Sequence, residues 1–432
     1  MYNLFINMSK QINISVLDEE YVKKISEQNI NVIIFEPQFN ERIELEIIPP
    51  NIEKIFFGIK SSVKHDDMEE FSGYILNDAN SFSKFNNKSL NNLKNTLLKW
   101  IIFPYDSTYN YPIMTLPLSL EILTLGNNFS KSLENLPTSL KYFTLQTQNY
   151  IQSINSLSQF PNLIYFGLKT SNEIMLKQLP NQTIYFELDS SRKHPIVIST
   201  SEILDLLPQS IRVLKLDCHY KSSLLNLPKN LTELFVSNLH TMQTLQNLPP
   251  GLKSLHIRIG KDLFTSEENY KSIFLSNLPS SLKRLSIETT FYGAPKNCSN
   301  LSNSMCSDTF AYLPETLEML ELKRVYICEH ALYNLPSGLK VLNIINCYTD
   351  NLFKSDLLNN LPRQLAYLGI FCDFTKLSEI KNIPPKLQVF ATNKKHLLED
   401  GNNVKLSGLK IVFCDEEKYI NELNELNELK KI

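Results

Sequence analysis

Proline spacing constrains this 432-residue chain more than any other feature of its sequence. A phrase such as "ENLPTSLKYFTL" at 134–145 returns as "SNLPSSLKRLSI" at 276–287, and 13 of the 21 prolines occupy the same place in it. With the proline as position 0, a small or polar residue stands at +2 and apolar residues stand at +3, +6 and +8. The anchors are Pro49, Pro117, Pro137, Pro161, Pro180, Pro208, Pro228, Pro249, Pro279, Pro314, Pro336, Pro362 and Pro384. Such a period indicates a repeat protein rather than the two to four separate domains that length alone suggests.

The apolar positions +6 and +8 predict one short β-strand in each repeat. Residues two apart share one face of a strand, and a parallel stack of such strands buries that face in a continuous core. Proline has no N–H to donate, so it suits the approach to a strand rather than its interior. Less regular units have Glu27, Met68, Lys94 and Leu406 at position 0. We therefore expect an α/β solenoid of about 17 units, with short turns or helices on the convex side and with Leu342 and Ile344 buried.

The pattern resembles the leucine-rich repeat, whose core L-x-x-L-x-L is matched by Leu282, Leu285 and Ile287. The Leu-Pro-x-Ser-Leu phrasing, together with "FNERI" at 39–43, is similar to the FNIP-type repeats of amoebal and giant-virus proteins. This resemblance covers about residues 25–414. It implies a curved solenoid that binds a protein partner on its concave strand face.

The two ends of the chain are expected to cap the repeats. Residues 1–24 would cover the first strand. The last segment, 415–432, has acidic residues early, lysines late and apolar residues three apart, which favours a helix. We predict a C-terminal helical cap, and the alternative is an amphipathic helix that binds a partner.

Composition excludes several classes of function. The 43 basic and 45 acidic residues are interleaved, so no basic block predicts nucleic-acid binding. No apolar run reaches the roughly 20 residues that span a bilayer, and the first 20 residues lack the pattern of a secretion signal. Seven scattered cysteines include no C-x-x-C pair. We expect an intracellular, cytoplasmic protein with reduced thiols and with no metal, cofactor or membrane partner.

Catalytic motifs are also absent from the sequence. It contains no phosphate-binding glycine loop, no H-E-x-x-H and no G-x-S-x-G, so we predict that the protein is not an enzyme. The motif Cys306-Ser-Asp308 resembles the C-x-D nucleophile of some bacterial leucine-rich-repeat ubiquitin ligases, but it lacks their additional helical domain. The alternative function is a ubiquitin-ligase substrate receptor, because FNIP-type relatives often carry an F-box. Only about 25 residues precede the first repeat here, too few for the usual F-box.

The outward positions +5, +7 and +9 supply the candidate binding residues. They mix aromatic side chains with charges of both signs, which suits a protein partner better than a polyanion. The candidates are Tyr142, Tyr165, Tyr185, Glu187, Asp189, Lys215, Asp217, His256, Arg258, Arg284, Glu288, Glu321 and Lys323.

Two parts of this surface receive specific predictions. Tyr142, Tyr165 and Tyr185 share the +5 phase if one residue is deleted after Pro161, so their rings should lie side by side as an interface anchor or as a self-packed ladder. The long intervals between Pro249, Pro279 and Pro314 contain aromatic insertions. Such insertions leave a solenoid at its turns, and we expect them to form one wall of a binding site or a packed helix.

Overall fold

The structure is a computed structural model. It describes residues 11–14, 23–25, 30–43, 48–58, 82–85, 88–147, 157–170, 179–190, 197–198, 202–205, 207–217, 219–220, 224, 226–239, 247–259, 277–289, 310, 312–325, 327, 331–347, 360–372, 383–393 and 410–413. The chain divides into two compact units. The N-terminal unit consists of Tyr2–Val197 and Asp205–Cys218, and the C-terminal unit consists mainly of Ile198–Leu204 and His219–Ile432.

The N-terminal unit contains a ladder of nine parallel strands among the described residues. Each strand pairs with the strand of the next repeat, in the order β1–β2–β3–β5–β7–β8–β9–β10–β12. The strands of this unit are β1 (Gln11–Ile14), β2 (Val32–Phe35), β3 (Lys54–Phe57), β4 (Phe82–Ser83), β5 (Trp100–Ile102), β6 (Asp106–Ser107), β7 (Ile122–Leu125), β8 (Tyr142–Leu145), β9 (Tyr165–Thr170), β10 (Tyr185–Ser190) and β12 (Val213–Asp217). The short strands β4 and β6 pair with each other outside the ladder.

The C-terminal unit contains a second parallel ladder, of eight strands that pair in chain order. They are β14 (Glu233–Leu239), β15 (Ser254–Ile259), β16 (Arg284–Thr289), β17 (Met319–Lys323), β18 (Val341–Ile345), β19 (Tyr367–Phe371), β20 (Val389–Thr392) and β21 (Lys410–Phe413). Two further short strands are β11 (Val197–Ile198) and β13 (His219–Tyr220). The described helices are all short: 3-10 helices at Asn91–Asn95, Leu157–Gln159 and Ala331–Asn334, and an α-helix at Glu202–Asp205. The predicted solenoid of parallel strands is confirmed.

Most repeats enter their strand through the same turn. The carbonyl of the proline accepts a hydrogen bond from the N–H of the residue at +3, as in Leu120 to Pro117 at 3.1 Å and Leu339 to Pro336 at 3.1 Å; in the repeat of Pro161 the acceptor is the preceding residue, Phe160. The hydroxyl at +2 then donates to a carbonyl of the preceding repeat, for example from Ser139 to Leu120 at 2.6 Å. The same bond is made by Ser119, Ser281 and Thr316. The Leu-Pro-x-Ser-Leu phrase is therefore a turn that also ties neighbouring repeats together.

The inner face of each ladder forms the core, as the sequence predicts. The side chains at +6 and +8 are fully buried, including Leu214 and Leu216 in β12 and Leu342 and Ile344 in β18. This confirms the position of the strands relative to the prolines. The opposite face, formed by +5, +7 and +9, is called the outer face.

Aromatic rings form a continuous column in the core of the N-terminal unit. Its members lie at +8 of three strands or in the segments that follow the strands, and neighbouring ring centroids are 4.2 to 6.2 Å apart. This aromatic column consists of Phe35, Phe39, Phe57, Phe85, Phe103, Tyr109 and Phe129. The sequence analysis singled out "FNERI" but missed the equivalent openings at Phe85, Tyr109 and Phe129.

Two units that lack the proline were placed one residue out of phase. β5 aligns Ile101 with Ile55, so position 0 of that repeat is Asn95 rather than Lys94. Leu98 is accordingly buried, while Leu97 is 61% exposed. β21 aligns Ile411 with Phe390, so its position 0 is Lys405 rather than Leu406.

The prediction that a repeat with Met68 at position 0 adds a strand to the ladder is also wrong. β3 pairs directly with β5, which leaves no place for a strand between them. Residues 59–81, which contain Met68, lie outside the described residues. The interval from Pro49 to Asn95 is therefore one repeat with an insertion. β1 lies within the segment 1–24 assigned to the N-terminal cap and adds a strand to the ladder. The expected number of about 17 strands is therefore reached, but with β1 in place of the strand expected after Met68. The C-terminal cap, 415–432, lies outside the described residues.

Replacing Gly126 with alanine should lower the free energy of unfolding by about 1–2 kcal/mol. A Cβ at Gly126 would lie 2.5 Å from the carbonyl oxygen of Pro104 and 2.7 Å from Cβ of Ser107, and neither atom can move without the backbone. Urea unfolding followed by circular dichroism measures the loss. Gly251→Ala is the matched control, because nothing lies within 4 Å of a Cβ at that position. An equal stability of the two variants would contradict the close approach at Gly126.

Candidate functional site

Along each ladder, part of the outer face consists of apolar side chains and part consists of polar ones. In the N-terminal unit, β2 to β7 present a buried apolar patch of Val32, Ile34, Phe56, Trp100, Ile102 and Ile122. In the C-terminal unit, β18 to β20 present a second one, of Val341, Ile345, Tyr367, Phe371 and Ala391. The mixed polar surface predicted for the whole outer face is therefore confined to β8–β12 and to the strands around β15–β17, and the candidate residues lie there.

The first apolar patch also contains a buried cation. Lys54 is 8% exposed, and its ammonium lies 3.9 Å from the ring centroid of Trp100. The electron-rich face of the indole compensates part of the cost of burying this charge. Sequence analysis missed Trp100 as an outer-face residue because its repeat was placed one residue out of phase.

The predicted tyrosine column exists. Tyr142, Tyr165 and Tyr185 are aligned in β8, β9 and β10, which confirms the one-residue deletion after Pro161. The ring centroids of Tyr142 and Tyr165 are 6.3 Å apart, and those of Tyr165 and Tyr185 are 4.7 Å apart. All three side chains are half-buried, so the column packs against itself and still presents surface.

Glu187 lies beside this column. Its Oε2 accepts hydrogen bonds from the hydroxyl of Tyr165 at 3.1 Å and from that of Tyr185 at 3.4 Å. Lys215, on the neighbouring strand, places its ammonium 4.0 Å from the same oxygen and 5.4 Å from the centre of the Tyr185 ring. Asp217 is half-buried at the end of β12. Asp189 lies in β10, but its side chain is outside the described part of the structure.

A glycine makes room for this arrangement. A Cβ at Gly167 would lie 2.6 Å from the hydroxyl of Tyr165 and 3.1 Å from its ring. The Tyr165 side chain therefore lies along its own strand, over Gly167, and its hydroxyl reaches Glu187.

A network of charges occupies the outer face of β15–β17 in the C-terminal unit. Arg258 donates from Nε to Oε2 of Glu288 at 3.0 Å, and Arg324 donates from Nη1 to Oε1 at 2.8 Å. Nε2 of His256 lies 3.8 Å from Glu288, too far for a hydrogen bond. Burial of the Glu288 carboxylate raises its pKa, but the interactions with His256 and Arg258 outweigh burial, and the pKa falls from 4.5 to about 2.

Glu321 forms a second, looser centre on the next strand. Ser286 donates a hydrogen bond to its Oε1 at 2.9 Å, and the ammonium of Lys323 lies 3.5 Å from the same oxygen. Arg284 is half-buried at +5 of β16. The structure therefore brings together the predicted residues of β15, β16 and β17.

Two contributors to this network were missed by the sequence analysis. Arg324 directly follows β17, with a φ of 56°, and so lies outside the +5, +7 and +9 positions that were considered. Phe235 lies at +7 of β14, where the same phase could have found it, and its ring stacks on His256 at 4.5 Å.

The insertions predicted to flank this region lie outside the described residues, except for Phe310 and Tyr312 at the end of the second one. Phe310 is 0% exposed and packs in the protein interior, so it does not form part of a surface wall. Tyr312 is 48% exposed. The motif Cys306-Ser-Asp308 also lies outside the described residues.

The described residues provide no cluster for metal binding. No group of three or more His, Cys, Asp or Glu side chains could hold an ion within the part of the chain that the structure describes. Cys347 and Cys372, in adjacent repeats, are buried and free. The N–H of Cys347 donates to Sγ of Cys372 at 3.2 Å, and burial raises the pKa of the Cys347 thiol well above its usual value. Cys347 is therefore a packed, protonated thiol.

Short parallel strands, one per repeat, are stacked through a repeated turn and bury mostly Leu, Ile and Phe side chains at +3, +6 and +8. The fold is a leucine-rich-repeat solenoid. Comparison with solved structures finds CroV588, described as a novel circular leucine-rich-repeat protein, with 20% identity and a TM-score of 0.43. The match covers 88% of this chain and 66% of CroV588, so the chain spans just under two thirds of that protein's length. YopM from Yersinia enterocolitica WA-314 matches with 17% identity and a TM-score of 0.31, over 90% of this chain and 76% of YopM.

Sequence comparisons do not assign the chain to a family. No protein-family model matches the chain, and no curated protein matches it. In the described residues, no helix has the length and apolar character needed to cross a membrane.

Proposed function

We propose that this leucine-rich-repeat protein is a non-enzymatic interaction scaffold that binds a protein partner through the outer face of β8–β12 or of β15–β17. The observation that supports it is the contrast between the two kinds of outer face. Where the outer face is apolar it is buried, and where it is polar it carries part-exposed aromatic and charged side chains in regular rows.

The hydrogen bonds within these rows support a binding role. Glu187 is held by two tyrosine hydroxyls, and Glu288 is held by two guanidinium groups. Side chains that are already fixed lose little conformational entropy when a partner binds. Tyrosine and arginine are also the residue types that contribute most to protein interfaces. A surface of both signs further favours a partner with complementary charges over a polyanion.

The test is affinity capture from cells that express the protein, with paired charge-reversal variants. Lys215→Glu and Arg284→Glu alter the outer face. Lys141→Glu and Lys340→Glu alter exposed ion pairs with Glu121 and Glu318 at the turns instead. Circular dichroism checks that all four variants fold.

We expect a captured partner to lose at least tenfold in affinity with one of the outer-face variants and to be retained by both turn variants. Equal capture by all four variants would contradict binding through the outer face. Retention of a cullin or an adaptor subunit by every variant would point to a ubiquitin-ligase receptor instead.

A further inference from the structure

The two carboxylate oxygens of Glu187 differ in how many neighbouring groups they contact. The two tyrosine hydroxyls and Lys215 all approach Oε2. Oε1 has no hydrogen-bond or ion-pair partner among the residues that the structure describes. The Glu187 side chain is 18% exposed, so the carboxylate is largely removed from water but keeps some accessible surface on the outer face.

The charge of Glu187 is weakly balanced. Lys215 lies at 4.0 Å, the outer limit of an ion pair, and donates no hydrogen bond to the carboxylate. The Glu187 carboxylate therefore keeps much of its charge, which complements a further cation.

The tyrosine column adds a second attraction for a cation. The faces of aromatic rings carry negative electrostatic potential, and a cation within about 6 Å of a ring centroid is stabilised. Lys215 already lies over the Tyr185 ring at 5.4 Å, which shows that this face holds a positive charge. Tyr165 and Tyr142 continue the same surface along the ladder.

We propose that Glu187 and the tyrosine column bind an arginine side chain of the protein partner, an inference that rests on the proposed function. A planar guanidinium stacks on a tyrosine ring and at the same time donates N–H groups from its edge to Oε1 of Glu187. A lysine ammonium is a compact, strongly hydrated charge and cannot make both contacts in one plane. The chemistry of the site therefore selects arginine.

Gly167 positions this site. Because a Cβ there would meet the hydroxyl of Tyr165 at 2.6 Å, alanine must displace the flexible end of the tyrosine and remove its bond to Glu187. The backbone does not have to move. Gly167→Ala thus tests the arrangement with little effect on folding.

The experiment uses the full chain and small probes. Binding of N-acetyl-arginine-N-methylamide is measured by saturation-transfer difference NMR and compared with binding of the uncharged citrulline analogue and of the lysine analogue. We expect the arginine probe to bind at least tenfold more tightly than either. Glu187→Gln and Gly167→Ala should each weaken it by about tenfold, whereas Glu233→Gln, an exposed outer-face carboxylate of β14, should leave it unchanged.

The glutamine variant keeps an acceptor for both tyrosine hydroxyls, so a loss of binding reports the charge rather than misfolding. Equal binding of the arginine and citrulline probes, or of the arginine and lysine probes, would overturn the proposal, and so would unchanged binding to Glu187→Gln. This failure is distinguishable from failure of the proposed function, because affinity capture by the outer-face variants is measured separately and does not use the probes.

Discussion

Replacing Phe57 with alanine should lower the free energy of unfolding of the N-terminal unit by about 3–5 kcal/mol. The ring is 0% exposed and lies in the middle of the aromatic column. Its centroid is 4.3 Å from that of Phe103, 4.8 Å from that of Phe85 and 5.1 Å from that of Phe35. Alanine removes these contacts and leaves a cavity that the neighbouring repeats cannot close, because their backbones are fixed by the strand ladder.

Urea unfolding measures this loss, with tryptophan emission as the probe. Trp100 is the single tryptophan of the chain and belongs to the same unit, so its emission reports that unit alone. Phe57→Leu retains most of the buried volume and should cost less than half as much. Leu118→Ala removes an 82% exposed side chain and should change stability by less than about 0.5 kcal/mol. A loss below 1 kcal/mol in Phe57→Ala would show that the column contributes little.

The sequence predicts the fold of this protein well because proline marks the phase of each repeat. Every strand that follows an anchoring proline has its +6 residue on the inner face or, after Pro161, one residue earlier. The repeats placed one residue out of phase are those of Lys94 and Leu406, and the strand expected after Met68 is also wrong; none of the three units has the proline. Their phase had to be inferred from apolar residues alone.

That inference fails where both faces of a strand are apolar. β5 consists of Trp100, Ile101 and Ile102, and all three are buried. Alternation between apolar and polar residues normally shows which face is inside, and a shift by one residue exchanges the two faces. Without a polar residue in the strand, the pattern gives equal support to both registers. In β21, Val412 was assigned to the core although Lys410, two residues earlier on the same face, is exposed.

The sequence predicts which residues lie on the outer face but not which side chains contact one another there. The phase places Glu187, Lys215, Arg258 and Glu288 on it correctly. Their contacts depend on how far side chains reach across neighbouring strands and on residues just beyond a strand, such as Arg324. The role of Gly167 is also invisible in the sequence, because it follows from the path of the Tyr165 ring.

Replacing Glu288 with glutamine should lower the free energy of unfolding by about 3 kcal/mol at pH 7 and by almost nothing near pH 2. The pKa of Glu288 falls from 4.5 to about 2 on folding, and each pKa unit corresponds to about 1.4 kcal/mol. A group whose pKa is lowered by folding stabilises the protein above its unfolded pKa. That stability is lost as the pH falls through the folded pKa. The difference between wild type and variant should therefore be constant above about pH 5 and shrink between about pH 4.5 and 2.

The physical cause is that the interactions of the Glu288 carboxylate with His256 and Arg258 outweigh its burial. The variant also leaves Arg324 without the carboxylate to which it donates a hydrogen bond. The Glu288 side chain is 11% exposed and those of Arg258 and Arg324 are each 30% exposed, so water screens these interactions only in part. Urea unfolding by circular dichroism at a series of pH values measures the difference. Glu315→Gln is the control, because that carboxylate is exposed and accepts hydrogen bonds from Ser337, and its effect should stay below about 1 kcal/mol at every pH. A loss in Glu288→Gln that is the same at pH 7 and pH 2.5 would mean that packing, rather than charge, holds this network together.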